Sequence, residues 1–249
     1  MYSSTMLAYL WKSRNYYMEI DCKATNGRQI EICSGGPYIV TGGVPLVRKS
    51  QVVSEYGEPL TWKKDGEIPI LGDGYFLCRC GQSADKPFCD GTHSKIHFNG
   101  AETAPTGSTR ERRETYPGCH NILVRIDLSL CTSAGFCANR ATSIAEMAPH
   151  MDDIQVQTLA IAMIEHCPAG ALTYALEEGG EDIEVDLPQQ IAVTTEITSK
   201  GAVQGPLWVT GGISILRSDG TPLEVRNRVM LCGCGRSLNK PFCDGSHRE

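Results

Sequence analysis

One pattern of sixteen residues, written twice, constrains this chain more than any other feature. From Cys78 it reads C-R-C-G-Q-S-A-D-K-P-F-C-D-G-T-H, and from Cys232 it reads C-G-C-G-R-S-L-N-K-P-F-C-D-G-S-H. The C-x-C-G start, the serine, the K-P-F-C-D-G run and the closing histidine agree in both copies, which chance does not produce. A second repeat lies upstream of each copy: G-P-Y-I-V-T-G-G-V-P-L from Gly36 returns as G-P-L-W-V-T-G-G-I-S-I from Gly205. Apolar residues framed by glycines read as short strands. The chain therefore holds one β-rich unit twice, with a segment of different character, about Thr109 to Pro188, between the copies.

Twelve of the 249 residues are cysteine. No stretch nears the ~20 apolar residues of a membrane span. The apolar run Met6 to Trp11 lacks the basic lead and small-residue cleavage site of a secretory signal. These features place the chain in the cytoplasm, where disulfides do not persist and grouped cysteines serve as metal ligands. Three groups stand out: Cys78, Cys80 and Cys89; Cys131, Cys137 and Cys167; Cys232, Cys234 and Cys243. Of the rest, Cys22 and Cys33 fall on the arms of a hairpin expected over Tyr17 to Cys33 around Asn26-Gly27, as a buried pair of small hydrophobes, and Cys119 reads as a free thiol. Residues 1 to 16 fit no element, and Met18 is an alternative start. The net charge of -6, from 23 basic and 29 acidic residues, argues for neither a nucleic-acid nor an anionic-membrane partner.

In each copy the C-x-C cysteines are two residues apart, so on an extended strand both sulfurs project from one face and can share a metal. The third cysteine has its histidine at i+4, which on one helical turn brings thiolate and imidazole together. Asp90 and Asp244 directly follow that cysteine, where a carboxylate caps the new turn. Three thiolates and one imidazole suit a [2Fe-2S] cluster with one atypical iron; a Cys3His zinc site uses the same donors, although zinc pairs usually show C-x-x-C spacing.

Both segments resemble the CDGSH iron-sulfur motif of the mitoNEET family, C-x-C followed by P-x-C-D-G-(S/T)-H. The resemblance implies that Cys78 and Cys80 hold one iron and Cys89 and His93 the other, with Cys232 and Cys234, then Cys243 and His247, doing the same in the second copy. Single-motif members of that family are homodimers that share strands. Two motifs on one chain imply an intramolecular pseudo-dimer and a monomer.

The middle segment follows another logic. Bacterial ferredoxins place cysteines at the first, fourth and seventh positions of a run, with a distant Cys-Pro completing the set. Here the run is Cys131-Thr-Ser-Ala134-Gly-Phe-Cys137 and the distant pair is Cys167-Pro168; Ala134 stands at the fourth position. The segment resembles a divergent single-cluster ferredoxin. Its three cysteines favour [3Fe-4S] over [4Fe-4S], the alternative being three structural thiols. A strand is expected over Asn121 to Asp127, a helix after Cys137 that stops before Pro149, and a strand over Ile183 to Leu187. A second helix, Asp153 to His166, carries Leu159, Ala162 and Met163 at helical spacing.

The expected fold is α+β: an N-terminal extension with hairpin over 1–34, a first CDGSH unit over 35–108, a ferredoxin-like α+β domain over 109–188, and a second CDGSH unit over 189–249. The function that follows is single-electron transfer by two [2Fe-2S] clusters and one [3Fe-4S] or [4Fe-4S] cluster, between a reductase and an acceptor enzyme. A cluster donor to apo iron-sulfur acceptors, a redox or pH sensor, and a zinc-stabilised interaction module are the alternatives. No dinucleotide or phosphate loop and no nucleophile with an evident base is present in the sequence, so the chain is expected to be a carrier and not an enzyme.

Overall fold

The computed structural model describes residues 27–119 and 121–249, together with the backbone of 11–13 and 16–18. Two short strands, β1 (Trp11–Ser13) and β2 (Tyr16–Met18), pair antiparallel; β1 falls where the sequence suggested no element, and β2 runs into the first arm of the expected hairpin. The expected hairpin turn at Asn26-Gly27, its first arm and Cys22 lie outside the described residues, apart from Gly27 and the part of that arm within β2.

The first unit continues as β3 (Gln29–Ile32), β4 (Tyr38–Thr41), β5 (Leu46–Val53), β6 (Pro59–Glu67), β7 (Tyr75–Leu77) and the short helix α1 (Thr92–Lys95). The middle segment holds α2 (Thr109–Arg112), β8 (Glu114–Thr115), β9 (Leu123–Ile126), α3 (Ile144–Met147), α4 (Ile154–His166) and β10 (Leu172–Ala175). The second unit is β11 (Gln190–Thr198), β12 (Gly201–Thr210), β13 (Ser214–Leu216) and β14 (Arg228–Leu231).

The two units exchange a strand. One sheet has the order β13-β3-β4-β7 and the other β14-β12-β11-β5-β6. The repeated segments are β4 and β12, each flanked by the strand before it (β3, β11) and by the strand that leads to the cysteines (β7, β14). After β4 the chain crosses over, and β5 pairs in parallel with β11, Leu46 opposite Ile191. After β12 it makes the reciprocal crossing, and β13 pairs in parallel with β3, Ile215 opposite Ile30. The glycine pair at the end of each repeat turns the chain: Gly42 and Gly211 adopt φ of 81° and 77°, and a methyl on either would stand within 2.5 Å of backbone atoms of Gly27 or Gln189, just ahead of the neighbouring strand.

Both edges of β3 are taken, by β4 and by β13. The exchange also merges the hydrophobic cores. Ile30, Val40, Leu46 and Leu77 pack in one cluster with Ile191, Leu207, Val209 and Leu231, and Leu130, Ala169 and Ala171 of the middle segment join it. β6 is an addition to the second sheet, at the place where the second unit has only the bridge of Leu216 with Pro222.

The middle segment builds a three-stranded antiparallel sheet, β10-β9-β8, and packs α3 and α4 on it around Val124, Ile144, Met151, Ile164 and Leu172. Asp153 caps α4 by accepting from Gln155 N at 2.7 Å, and the helix ends at His166 as expected. The buried face differs from expectation: Ala160, Met163 and Ile164 are inside while Leu159 is 43 % exposed. The helix after Cys137 begins late, because Ser143 caps it through Glu146 N, and a 3-10 turn carries it through Pro149. The strand expected over Ile183 to Leu187 reduces to one bridge, Ile183 with Tyr174; further on, Val185 O accepts from the Asn227 side chain instead of a ladder partner. No helix among the described residues is long and apolar enough to cross a membrane.

Candidate metal centres

In the first unit β7 ends at Leu77 and the chain bends through Cys78, Arg79 and Cys80. The pair was expected on the strand itself; it lies on the bend beyond, and the two sulfurs still come to 3.7 Å. The second unit repeats this after β14, with Cys232 and Cys234 Sγ 3.8 Å apart. The third cysteine meets its histidine as the i+4 spacing required: Cys89 Sγ to His93 Nδ1 is 3.2 Å, and Cys243 Sγ to His247 Nδ1 is 3.4 Å. Asp90 accepts from Thr92 N at 3.0 Å with one oxygen and from Ala84 N at 2.8 Å with the other. Asp244 does likewise with Ser246 N and Leu238 N. Each aspartate thereby ties the histidine turn to the loop that follows C-x-C.

These distances test the fit of a metal. Two ligands on one tetrahedral metal with bonds of about 2.3 Å to sulfur and 2.0 Å to nitrogen lie roughly 3.8 Å apart for two sulfurs and 3.5 Å apart for sulfur and nitrogen. The two sulfur pairs and Cys243 with His247 match one edge of such a tetrahedron, and Cys89 with His93, at 3.2 Å, is shorter than that edge. Among the described residues no three Cys, His, Asp or Glu side chains converge on a point for one ion. The donors of each unit come in two close pairs, sulfur with sulfur and sulfur with nitrogen.

Burial pushes the Cys89 thiol up to about 11 and the Cys243 thiol up to about 12, so a metal must displace their protons. Burial lowers His93, which keeps its imidazole neutral and able to ligate near pH 7. In the second unit backbone N–H groups of Arg236 and Gly245 point at Cys234 and Cys243 Sγ, both at 3.4 Å.

The two centres stand back to back. A methyl on Gly81 would lie 2.3 Å from the Cys234 carbonyl oxygen, and one on Gly235 2.6 Å from the Cys80 carbonyl oxygen. The tyrosine of the first G-P-Y repeat crosses between units: Tyr38 donates its hydroxyl to Cys232 O at 3.0 Å. Sequence reasoning missed Arg79. It is 2 % exposed and donates to the carbonyls of Cys33, Gly36 and Gly100 at 2.7–3.3 Å, between the rings of Tyr38 and Phe98. It missed Glu196 as well, a buried carboxylate on β11 whose Oε2 lies 2.9 Å from His247 Nε2. An acid within the apolar and threonine run of β11 was the available signal.

In the middle segment Cys131 follows a 3-10 turn capped by Asp127, Cys137 lies in the exposed loop ahead of α3, and Cys167 ends α4. The chain on either side of Cys167 is held from the second unit, by Arg228 of β14 on Glu165 O and by Arg226 on Gly170 O. Partial burial, then the neighbouring Cys131 and Cys167, raises the Cys137 thiol, although among the described residues the three thiols do not converge on one point. Ser133 N donates to Cys131 Sγ at 3.4 Å, while the Ala134 carbonyl is held by Gln51. This centre touches the second unit: Thr132 O accepts from Arg248 at 2.6 Å, and a methyl on Gly245 would stand 3.0 Å from the same oxygen. Cys119 packs against the middle core, and Cys33 lies near Gly36 in the first unit.

A family model for the iron-binding zinc finger of CDGSH type matches residues 35–94 and 204–248. A second, for a divergent 4Fe-4S mono-cluster, matches residues 119–177. No curated protein and no solved structure matches the chain. The chain carries two CDGSH iron-binding segments with a divergent 4Fe-4S mono-cluster domain inserted between them, the make-up of an iron-sulfur cluster-binding protein.

Proposed function

We propose that this chain is a three-centre electron carrier. Cys78 and Cys80 with Cys89 and His93 hold one [2Fe-2S] cluster, Cys232 and Cys234 with Cys243 and His247 a second, and Cys131, Cys137 and Cys167 the middle cluster. The observation that carries this reading is the continuity of the three donor groups in one body: Cys131 adjoins the second CDGSH segment through Thr132 and Gly245, and the second adjoins the first through Gly235 and Gly81. When bound, such clusters supply reversible one-electron chemistry. The chain's own residues hold them in the series middle, second, first.

The paired donors favour two irons over a single zinc at each CDGSH site. For the middle site, the 4Fe-4S family match together with only three thiolates supports a [4Fe-4S] cluster whose fourth iron is easily lost to give [3Fe-4S]. The strand exchange supplies within one chain what a homodimer would supply between two, so the protein acts as a monomer. Its partners are a reductase and an acceptor enzyme, it works in the cytoplasm, and it is not itself an enzyme.

Anaerobic purification with iron, sulfide and zinc analysis tests the reading: about 8 irons per chain are expected, two from each CDGSH site and four from the middle, falling to about 7 on mild oxidation. Stoichiometric zinc with little sulfide would overturn it. The exposure of Cys137 favours a second reading, in which the middle cluster passes to an apo acceptor. Movement of iron and sulfide to an apo-ferredoxin near pH 7, faster than spontaneous release, would select that alternative.

A further inference from the structure

The two CDGSH sites differ at the imidazole nitrogen that faces away from the cysteine. His247 turns Nδ1 toward Cys243 Sγ, and its Nε2 lies 2.9 Å from Oε2 of Glu196, a carboxylate only 1 % exposed. That oxygen also accepts from Arg248 Nε at 2.7 Å, while Glu196 Oε1 has no hydrogen-bond partner among the described residues. Arg248 reaches on to the carbonyl of Thr132, the residue after Cys131. In the first unit Cys33 occupies the register position of Thr194, and Gly36 that of Gly205. A methyl on Gly205 would meet the Thr194 hydroxyl first and Glu196 Oε1 at 3.3 Å; one on Gly36 would meet Cys33 Sγ at 2.8 Å and His93 Nε2 at 3.7 Å. The second site thus has a carboxylate at the outward nitrogen of its imidazole, while in the first site Cys33 stands where β11 carries Thr194.

We propose that Glu196 and Arg248 are positioning residues that act through His247 to set the potential of the second CDGSH site below that of the first. The inference rests on the three-centre reading above. With Nδ1 as the ligand atom, Nε2 carries the proton that Glu196 accepts, which fixes the ring and makes it a stronger donor toward iron. A stronger donor favours the oxidised cluster. Arg248 offsets part of the carboxylate charge, so the two residues pull the potential in opposite directions. Because Arg248 also holds Thr132, the site so tuned is the one next to the middle centre.

The experiment is a dithionite titration of the purified holoprotein, followed by electron paramagnetic resonance and visible circular dichroism. Two [2Fe-2S] waves are expected. His93→Cys moves the upper one down and thereby assigns it to the first site. Glu196→Gln keeps an acceptor oxygen but removes the charge, so the second wave moves up. Arg248→Gln leaves the carboxylate unbalanced, so the second wave moves down, and Arg248→Lys returns it toward the parent value. The first wave stays in place throughout. Shifts of one sign from both Gln variants, equal movement of both waves, or a reversed order of the sites would show that the pair only braces the fold, and overturn the inference. Unmoved waves would do the same while leaving the cluster reading intact. Zinc in place of iron, with no wave to titrate, would remove that reading and this inference together.

Discussion

Gly81 lies so close to Cys234 that a single side-chain carbon would stand 2.3 Å from the Cys234 carbonyl oxygen, and the approach is reciprocated by Gly235 on Cys80. Both glycines also hold positive φ, 73° and 80°. Gly81→Ala therefore adds left-handed backbone strain to a clash with backbone that cannot yield. A loss of about 2–4 kcal/mol is expected, read as a lower denaturant midpoint for loss of the visible absorption. Because the contact belongs to both CDGSH sites, both should fail together; loss of one alone would contradict the back-to-back arrangement.

Ala134 is the diagnostic position of the middle site. Ala134→Cys supplies a thiolate at the fourth place of the Cys131 run, so the cluster should keep its fourth iron. After mild ferricyanide oxidation the parent should show a [3Fe-4S] resonance and the variant should not. The same [3Fe-4S] signal in both, at full iron loading, would mean that Ala134 does not face the cluster.

Arg79 holds the first site from behind, donating to three carbonyls within its buried surroundings. Arg79→Met fills a similar volume but leaves those acceptors unpaired, at a cost of about 2–4 kcal/mol. The second unit has Gly233 at the matching position, so its cluster should persist. The check is thermal bleaching resolved by circular dichroism, with one of the two [2Fe-2S] contributions lost at lower temperature.

Protonation opposes the clusters from the acid side. An imidazole must be neutral to bind iron, so cluster loss should accelerate as pH falls through ~6. His93→Cys and His247→Cys should each slow the decay at one site. If both variants bleach as fast as the parent, the histidines are not ligands.

The metal-free protein should fail from the alkaline side. The Cys89 thiol is raised by burial from 9.0 to about 11, so between those values the unfolded chain has released this proton and the folded one has not. Unfolding then sheds protons, and stability falls as pH rises from about 9 toward about 11. Melting temperatures of the metal-free parent and of Cys89→Ser across this range should diverge, the serine variant showing the flatter curve. Parallel curves would show that the burial of Cys89 has no such effect.

Much of this was legible because it is local. The i+4 step from Cys89 to His93, the two-residue step of C-x-C, the caps at Asp90 and Asp153 and the end of α4 at His166 all depend on residues within one turn or bend of each other. Helix phase was less legible: Leu159 matched the apolar spacing, yet it is Ala160 and Ile164 that face the core, since the neighbouring sheet decides which stripe is covered. Strand status failed where pairing was absent, as at Ile183, which finds one bridge partner only.

By itself the sequence determined which cysteine and histidine side chains come into close pairs, because a few residues of chain bring Cys78 to Cys80 and Cys243 to His247. Only the tertiary structure decided how the centres stand to one another and what tunes each. Leu46 meets Ile191 in a parallel ladder, Gly81 meets Cys234, Glu196 meets His247 and Arg248 meets Thr132. Those contacts join positions far apart in the chain, where no periodicity records them; they exist because neither repeat can bury its own apolar strands, and the shared core that does so sets the distances between everything attached to it.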